Sequence, residues 1–143
     1  MTHTILYTSD LHGNEVQYEL LFTHATDIAA DSIIIGGDIA PKGLRWDRYI
    51  LGQRQFLEKT LPSLAGEWKE KNPAAKLYLM MGNDDVAANM DVLEKSDLFH
   101  VIHNKRMPLT PDFDIVGYSY VPITPFGIKD WEKYIGVDPV YYR

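Results

Sequence analysis

The chain has 143 residues, 45% of them hydrophobic and 24% charged, and residues 1–143 have the size and composition of a single globular domain. It contains no cysteine, which excludes disulfides and thiolate metal sites, so any metal would need oxygen or imidazole ligands. The net charge of -6 argues against nucleic acid as the main partner, because binding to its phosphate backbone requires a basic face.

The acidic charge does not exclude a small phosphorylated substrate, because bound cations would supply positive charge locally. The N-terminal residues lack the pattern of a signal peptide, and no apolar stretch is long enough to span a bilayer. We therefore expect a cytoplasmic protein that has no membrane partner.

Three short apolar runs, at residues 4–8, 32–35 and 76–81, are predicted to be strands. Each run is nearly continuous rather than alternating, which is typical of parallel strands that are covered on both faces. Two further strands are predicted at residues 98–102 and 113–121.

Helical patterns lie between the predicted strands, which indicates an α/β fold with right-handed crossovers. The first pattern begins after Asn14, the expected cap, and its apolar residues recur at helical spacing: Val16, Leu20, Leu21, Ala25 and Ile28. A second apolar stripe consists of Trp46, Tyr49, Ile50, Phe56, Leu57 and Leu61. Pro62 should end this helix or open the next one. Further helices are predicted at about residues 85–95 and 128–134.

Polar residues follow each of the first three predicted strands. Asp10 and His12 follow the first strand, Asp38 the second, and Asn83 and Asp84 the third. Since the carboxyl ends of parallel strands form a ligand crevice, these side chains should converge. Each signal alone is weak, because Asp and Asn are common in turns. Carboxylate, imidazole and amide groups in this order nevertheless predict a site for divalent metals.

The series Asp-x-His, Gly-Asp and Gly-Asn resembles the first three metal-binding motifs of the calcineurin-like metallophosphoesterases, over about residues 4–90. The resemblance implies an α-β-β-α sandwich of two mixed sheets flanked by helices. It also implies an enzyme that hydrolyses phosphomono- or phosphodiesters with two divalent metal ions. These ions would be drawn from manganese, iron, zinc, nickel or magnesium. By position, Asp10 and His12 would bind the first metal, Asp38 would bridge both metals and Asn83 would bind the second.

The sequence departs from the family pattern at two places. Asp84 stands where the family usually has a histidine that assists the leaving group, and a protonated Asp84 would have to take this catalytic role. The family's late Gly-His-x-His motif is absent, so we expect the fold to be incomplete at the C-terminus. His100 and His103 are the only histidines after the third motif, and we interpret them as structural or surface residues.

Two alternative functions stay open: a catalytically inactive fragment, and a non-enzymatic metal-binding or receiver-like domain. The aromatic, proline-broken stretch at residues 117–126 would line a substrate pocket or form a buried strand that leaves through a rigid turn. Four aromatic residues near the end suggest an apolar surface that seeks a partner: Trp131, Tyr134, Tyr141 and Tyr142. We therefore expect a homo-oligomer, or a later part of the chain that packs differently from the family's.

Overall fold

The computed structural model describes residues 2–43 and 45–134. A parallel sheet in the order β1-β2-β3-β4 is formed by β1 (Ile5–Thr8), β2 (Ser32–Ile35), β3 (Lys76–Leu79) and β4 (His100–Val101). Thr8 pairs with Ile35, and Ile35 pairs with Leu79, so the first three strands end at the same level. The segments that follow these strands therefore emerge side by side at one edge of the sheet.

A separate two-stranded antiparallel sheet consists of β5 (Arg106–Pro108) and β6 (Asp114–Val116). The strand predicted over residues 113–121 is wrong beyond Val116, where only isolated bridges occur, from Gly117 to His103 and from Val121 to Glu132. β5 was not predicted, because its sequence contains no run of apolar residues.

The first helix, α1 (Glu15–Asp27), begins as predicted, with the Asn14 side chain accepting a hydrogen bond from the Gln17 backbone N–H at 3.2 Å. The predicted apolar face is confirmed at Leu21 and Ala25, which are buried, and is wrong at Val16, Leu20 and Ile28, which are exposed. The buried face consists of Tyr18, Leu21, Phe22 and Ala25. The aromatic residues determine this rotation, since Tyr18 packs against Phe22 and donates a hydrogen bond to the Ile39 carbonyl oxygen at 2.9 Å.

The second helical region runs through a 3₁₀ turn (Trp46–Arg48), α2 (Tyr49–Gln55), a π turn (Phe56–Thr60) and α3 (Leu61–Lys71). Pro62 lies in the first turn of α3, where its missing N–H costs no hydrogen bond. Trp46 and Ile50 are exposed, contrary to the predicted stripe, whereas Phe56, Leu57 and Leu61 are buried.

The remaining predicted helices are shorter than expected or do not form. The one predicted at residues 85–95 is a 3₁₀ turn (Ala87–Asn89) followed by α4 (Met90–Glu94). No helix forms at residues 128–134, because Glu132 bridges to Val121 and its carboxylate accepts hydrogen bonds from Thr124 and Lys129.

One connected core contains buried residues of α1, α3, β2 and β3, including a stacked pair of Phe22 and Trp68 with ring centroids 5.6 Å apart. β1 is an edge strand whose Ile5 and Tyr7 are 42% and 63% exposed, so the expected cover on both faces is absent there. The α/β fold class, with its parallel sheet and helices, is the one that the sequence predicts.

No helix in the described part of the chain is long and apolar enough to cross a membrane. Of the aromatic residues expected to form an apolar surface, Trp131 is buried and Tyr134 is exposed, while Tyr141 and Tyr142 lie outside the described residues. Association into a homo-oligomer stays a prediction.

Candidate metal centre

The segment after β1 is held against the segment after β2 by backbone hydrogen bonds. Asp10 N–H donates to the Gly37 carbonyl oxygen at 3.1 Å, and His12 N–H donates to that of Asp38 at 2.8 Å. Asp10, His12 and Asp38 have φ angles of 60°, 45° and 52°, a left-handed conformation that is uncommon outside glycine. Strained backbone of this kind concentrates at functional sites, and here it falls on three of the four predicted ligands.

Asp10, His12 and Asp38 form one group, with a ligand atom from each lying within 4.8 Å of the other two. The ring nitrogen Nε2 of His12 lies 3.9 Å from a carboxylate oxygen of Asp10. Asp10 is exposed and Asp38 is buried, so the group is accessible on one side and anchored on the other. Two carboxylates and an imidazole at these distances suit a hard or borderline divalent cation, so the residues fit a metal ion.

The segment after β3 brings Asn83 and Asp84 to the same place. Asp84 N–H donates to Oδ1 of Asp38 at 2.8 Å. Asn83 lines a cavity of about 190 Å³ together with Asp10 and Asp38. Gly82 is needed for this approach, because a Cβ at that position would collide with the Asp38 carboxylate. The structure thus places all four predicted metal ligands at one edge of the sheet.

Burial raises the pKa of Asp38, and the neighbouring Asp84 and Asp10 carboxylates raise it further. The Asp84 N–H and the charge of His12 act in the opposite direction. A buried carboxylate beside other carboxylates is unfavourable in its ionised form unless positive charge is added. A bound divalent cation would supply that charge, which is a second indication that this group suits a metal.

Asp85 is a site residue that sequence reasoning missed. Its buried carboxylate accepts three backbone hydrogen bonds, from Ile39 at 3.0 Å, Ala40 at 2.8 Å and Gly82 at 2.8 Å. These bonds tie the segment after β2 to the segment after β3. Burial raises the pKa of Asp85 to about 7. The sequence shows an acidic residue directly after Asn83 and Asp84, but nothing in it reveals the burial.

Gln53 of α2 is a second buried residue that holds the site together, and the sequence does not reveal this role. Its amide nitrogen donates to the carbonyl oxygens of Pro41 at 3.2 Å and Asp84 at 2.7 Å. Its amide oxygen accepts from Val86 N–H at 2.8 Å. Because its amide nitrogen and its amide oxygen are both hydrogen-bonded, Gln53 ties α2 to the segment that carries Asn83 and Asp84.

The positively charged side chain of Lys42 lies next to the group of Asp10, His12 and Asp38. The exposed Lys42 places its Nζ 3.0 Å from Nε2 of His12, the ring nitrogen that faces Asp10. This ammonium would lie close to any metal that His12 binds. It is also within reach of an anionic group that such a metal holds.

His100 and His103 lie in other contacts. The His100 ring is 5.1 Å from the Tyr78 ring, and burial lowers the pKa of His100. The His103 ring packs against Tyr120 and Trp131, and its Nδ1 accepts a hydrogen bond from Ser119 N–H at 3.1 Å. Neither histidine belongs to the ligand group found among the described residues.

The stretch at residues 117–126, which sequence analysis left between two interpretations, contributes to the cavity. Tyr118, Ser119 and Val121 line it together with Asp10 and Asn83. This segment therefore forms part of the wall of the site, and it makes no continuous strand within the described residues.

Comparison with known proteins agrees with this geometry. The sequence matches the calcineurin-like phosphoesterase family over residues 3–139. Among solved structures, the protein TT1561 of Thermus thermophilus is similar in fold, with a TM-score of 0.60 and 16% sequence identity; the alignment covers 94% of this chain and 57% of that one. Among curated proteins, none matches the sequence. A family match over nearly the whole chain argues against the receiver-like alternative, and the chain belongs to the calcineurin-like phosphoesterase family.

Proposed function

We propose that the protein hydrolyses small phosphate monoesters or diesters at a dinuclear metal site at the carboxyl ends of β1, β2 and β3. The observation that carries this proposal is the group of Asp10, His12 and Asp38, whose ligand atoms lie within 4.8 Å of one another. Family membership supplies the reaction class, and the group supplies a place for the metal that this class requires.

In this proposal Asp10 and His12 would hold one ion, Asn83 would hold the other, and Asp38 would serve both. A carboxylate suits the bridging position because its two oxygens and single negative charge can be shared. Asn83 contributes an oxygen without charge, which leaves the ions more electrophilic than another carboxylate would. Two bound ions would neutralise charge on the phosphoryl oxygens and activate water at neutral pH. Manganese, iron, zinc, nickel and magnesium all belong to the candidate set.

The backbone around these ligands is held in place before any substrate arrives. Asp85 and Gln53 fix the segment that carries Asn83 and Asp84, and the Asp84 N–H orients the Asp38 carboxylate. Preorganised ligands of this kind lower the cost of placing charge correctly in the transition state. The Lys42 ammonium, 3.0 Å from Nε2 of His12, would contact a phosphoryl oxygen in this proposal.

The test is hydrolysis of nitrophenyl phosphate and of the matching bis-ester with added manganese. We expect turnover that a chelator abolishes and that His12→Ala removes. Asp112→Asn is the matched control, because Asp112 is an exposed carboxylate on the β5–β6 connection. Turnover that survives exhaustive chelation, or that His12→Ala leaves unchanged, would contradict the proposal.

We further propose that Asp84 protonates the leaving oxygen. Its substitution by Asn should then slow esters of poorly acidic alcohols far more than nitrophenyl esters, since nitrophenolate needs no proton to depart. The ratio of kcat/KM for an alkyl and a nitrophenyl ester, measured before and after the substitution, reports this directly. Equal losses for both esters would contradict the acid role and would mean that the Asp84 side chain helps to position the site instead.

A second candidate function is metal binding without turnover. It is favoured by the absence of the late Gly-His-x-His motif and by the positions of His100 and His103, which contact aromatic rings instead of the ligand group. The two candidates separate in one experiment: saturable manganese binding accompanied by no hydrolysis of either nitrophenyl ester supports the second.

A further inference from the structure

A second cavity, of about 340 Å³, lies on the α2 side of the candidate metal centre. Trp46, Tyr49, Ile50 and Val86 line one side of it, and residues 127–130 line the other. Its volume falls within the range of small-molecule pockets, and its walls combine aromatic and aliphatic groups with a few polar ones.

The open side of this cavity carries an aromatic pair. Trp46 is 74% exposed, and its ring centroid lies 6.2 Å from that of Tyr49, with the ring planes at 44°. Tryptophan is usually well covered in folded proteins, so a mostly exposed one at the mouth of a cavity is informative. Two rings in this tilted arrangement leave an aromatic face available for a planar group.

The cavity adjoins the segment that carries the predicted metal ligand Asn83 and the proposed acid Asp84. Tyr49 and Gln53 lie one turn apart on the same face of α2, and Gln53 donates to the Asp84 carbonyl oxygen at 2.7 Å. Val86 belongs to both places, since it lines the cavity and donates its N–H to Gln53 at 2.8 Å.

The carboxylates of the site also act on Tyr49, a residue that lines the cavity. The pKa of Tyr49 is raised, first by burial and then by the carboxylates of Asp84, Asp85 and Asp38. Its hydroxyl is therefore within electrostatic reach of the candidate metal centre.

We infer that this cavity binds the alcohol portion of the substrate and that this portion carries a planar aromatic ring stacked on Trp46. The inference rests on the proposed function, because it assigns the phosphoryl group to the metal centre and the ring to the adjoining cavity. It narrows the substrate class to phosphate esters of aromatic alcohols, including those whose ring is a heterocycle.

The kinetic test compares 2-phenylethyl phosphate with n-butyl phosphate, whose leaving alcohols have similar acidity. We expect kcat/KM to be about 5- to 10-fold higher for the phenylethyl ester, which is the size of effect that one aromatic contact gives. Trp46→Ala should abolish this preference, so that the two esters have about the same kcat/KM, and Trp46→Phe should retain most of it. Phe113→Ala is the matched control, because Phe113 is 70% exposed on the β5–β6 hairpin.

A binding test needs no turnover. Trp68 and Trp131 are buried, so acrylamide should quench chiefly Trp46. We expect 2-phenylethylphosphonate, whose C–P bond resists hydrolysis, to protect Trp46 from acrylamide in the presence of manganese, and n-butylphosphonate to give little protection. Circular dichroism of Trp46→Ala checks that the variant folds.

The outcomes distinguish the two proposals. If neither ester is hydrolysed but the phenylethyl phosphonate protects Trp46, the cavity inference stands and the proposed function fails. If both esters are hydrolysed with equal kcat/KM and neither phosphonate protects Trp46, the cavity inference is overturned while the proposed function stands. A preference for the phenylethyl ester that survives Trp46→Ala also overturns it.

Discussion

The segment after β1 and the segment after β3 approach the same metal centre but are held there in opposite ways. Residues 9–14 are bound by backbone hydrogen bonds to the β2 segment, and the side chain of Asp10 is exposed. Residues 82–86 are locked by buried side chains, namely Asp85 from within and Gln53 from α2. The difference separates two tasks: the fully buried side chains of Asp85 and Gln53 fix the backbone, and the polar side chains that line the cavity are left to bind ions.

The contrast also explains why neighbouring carboxylates have different roles. The Asp85 carboxylate is surrounded by three backbone N–H groups and has no access to solvent, so it is part of the scaffold. The carboxylates of Asp10 and Asp38 lie in a shared cavity where a cation can reach them. Acidic residues close together in the fold thus have separate structural and chemical roles.

Stability should therefore respond far more to Asp85 than to Asp10. Asp85→Ala leaves three backbone N–H groups, two of them buried, without an acceptor, and we expect a loss of about 3–5 kcal/mol in the free energy of unfolding. Asp10→Ala removes an exposed side chain and should cost less than about 1 kcal/mol. Urea denaturation of both variants without metal measures these free energies of unfolding. Equal losses in the two variants would contradict the predicted difference.

Metal content should respond instead to the proposed ligands Asp38 and Asn83. Asp38→Asn should lower manganese affinity at least about tenfold, because one negative charge is shared by both ions. Asn83→Ala should affect chiefly the second ion and leave about half of the metal bound. Elemental analysis after dialysis measures both variants, with Asp112→Asn as the control. Full metal content in Asp38→Asn would refute its bridging role.

The pH dependence of stability isolates the buried carboxyl. The folded-state pKa of Asp85 is raised to about 7, so the folded chain retains a proton that the unfolded chain has released. Its contribution is therefore full below about pH 4 and is lost as the pH rises towards 7, with a slope of at most about 1.4 kcal/mol per pH unit. His100 and His103, whose pKa values are lowered by burial, contribute the opposite slope near neutrality.

The measurement is therefore a comparison of two metal-free proteins. Wild type should lose stability relative to Asp85→Asn as the pH rises from 5 to 7, because the histidines are common to both. Parallel stability curves over that range would show that Asp85 does not titrate in the folded state as the structure indicates.

The smallest predicted effect is the change in manganese affinity on substitution of Lys42. Its ammonium lies 3.0 Å from Nε2 of His12, so Lys42→Met should strengthen manganese binding about two- to fivefold by removing a nearby positive charge. The same substitution should weaken inhibition by inorganic phosphate, which would lose a cationic contact. Lys71→Met, at the far end of α3, is the charge-matched control. Changes of equal sign in both affinities would contradict the placement of Lys42.

The sequence was most informative where a strong hydrophobic pattern met a polar residue at a strand end. The runs before Asp10, Asp38 and Asn83 were found because parallel strands buried in a sheet are almost uniformly apolar. Asn14 was predictable as a cap because its side chain acts within a few residues of itself. These features depend on local physics.

Features that depend on distant contacts were not predictable. The buried face of α1 is set by Tyr18, whose hydroxyl bonds to Ile39 across 21 positions, and helical spacing alone left Val16 and Leu20 as an equally good stripe. The expected helix at residues 128–134 is prevented by the pairing of Glu132 with Val121. The role of Gln53 follows from bonds to segments more than ten residues away in either direction, which no local pattern records.

Titration calorimetry of manganese into the metal-free protein tests most directly whether Asp10, His12 and Asp38 form a metal site. We expect saturable binding that is weakened at least about tenfold in Asp38→Asn and is unchanged in Asp112→Asn. Binding should be weak, because neither His100 nor His103 adds an imidazole to the ligand group found among the described residues. Absence of binding to the wild-type chain, or equal affinity in Asp38→Asn, would contradict the assignment of this site.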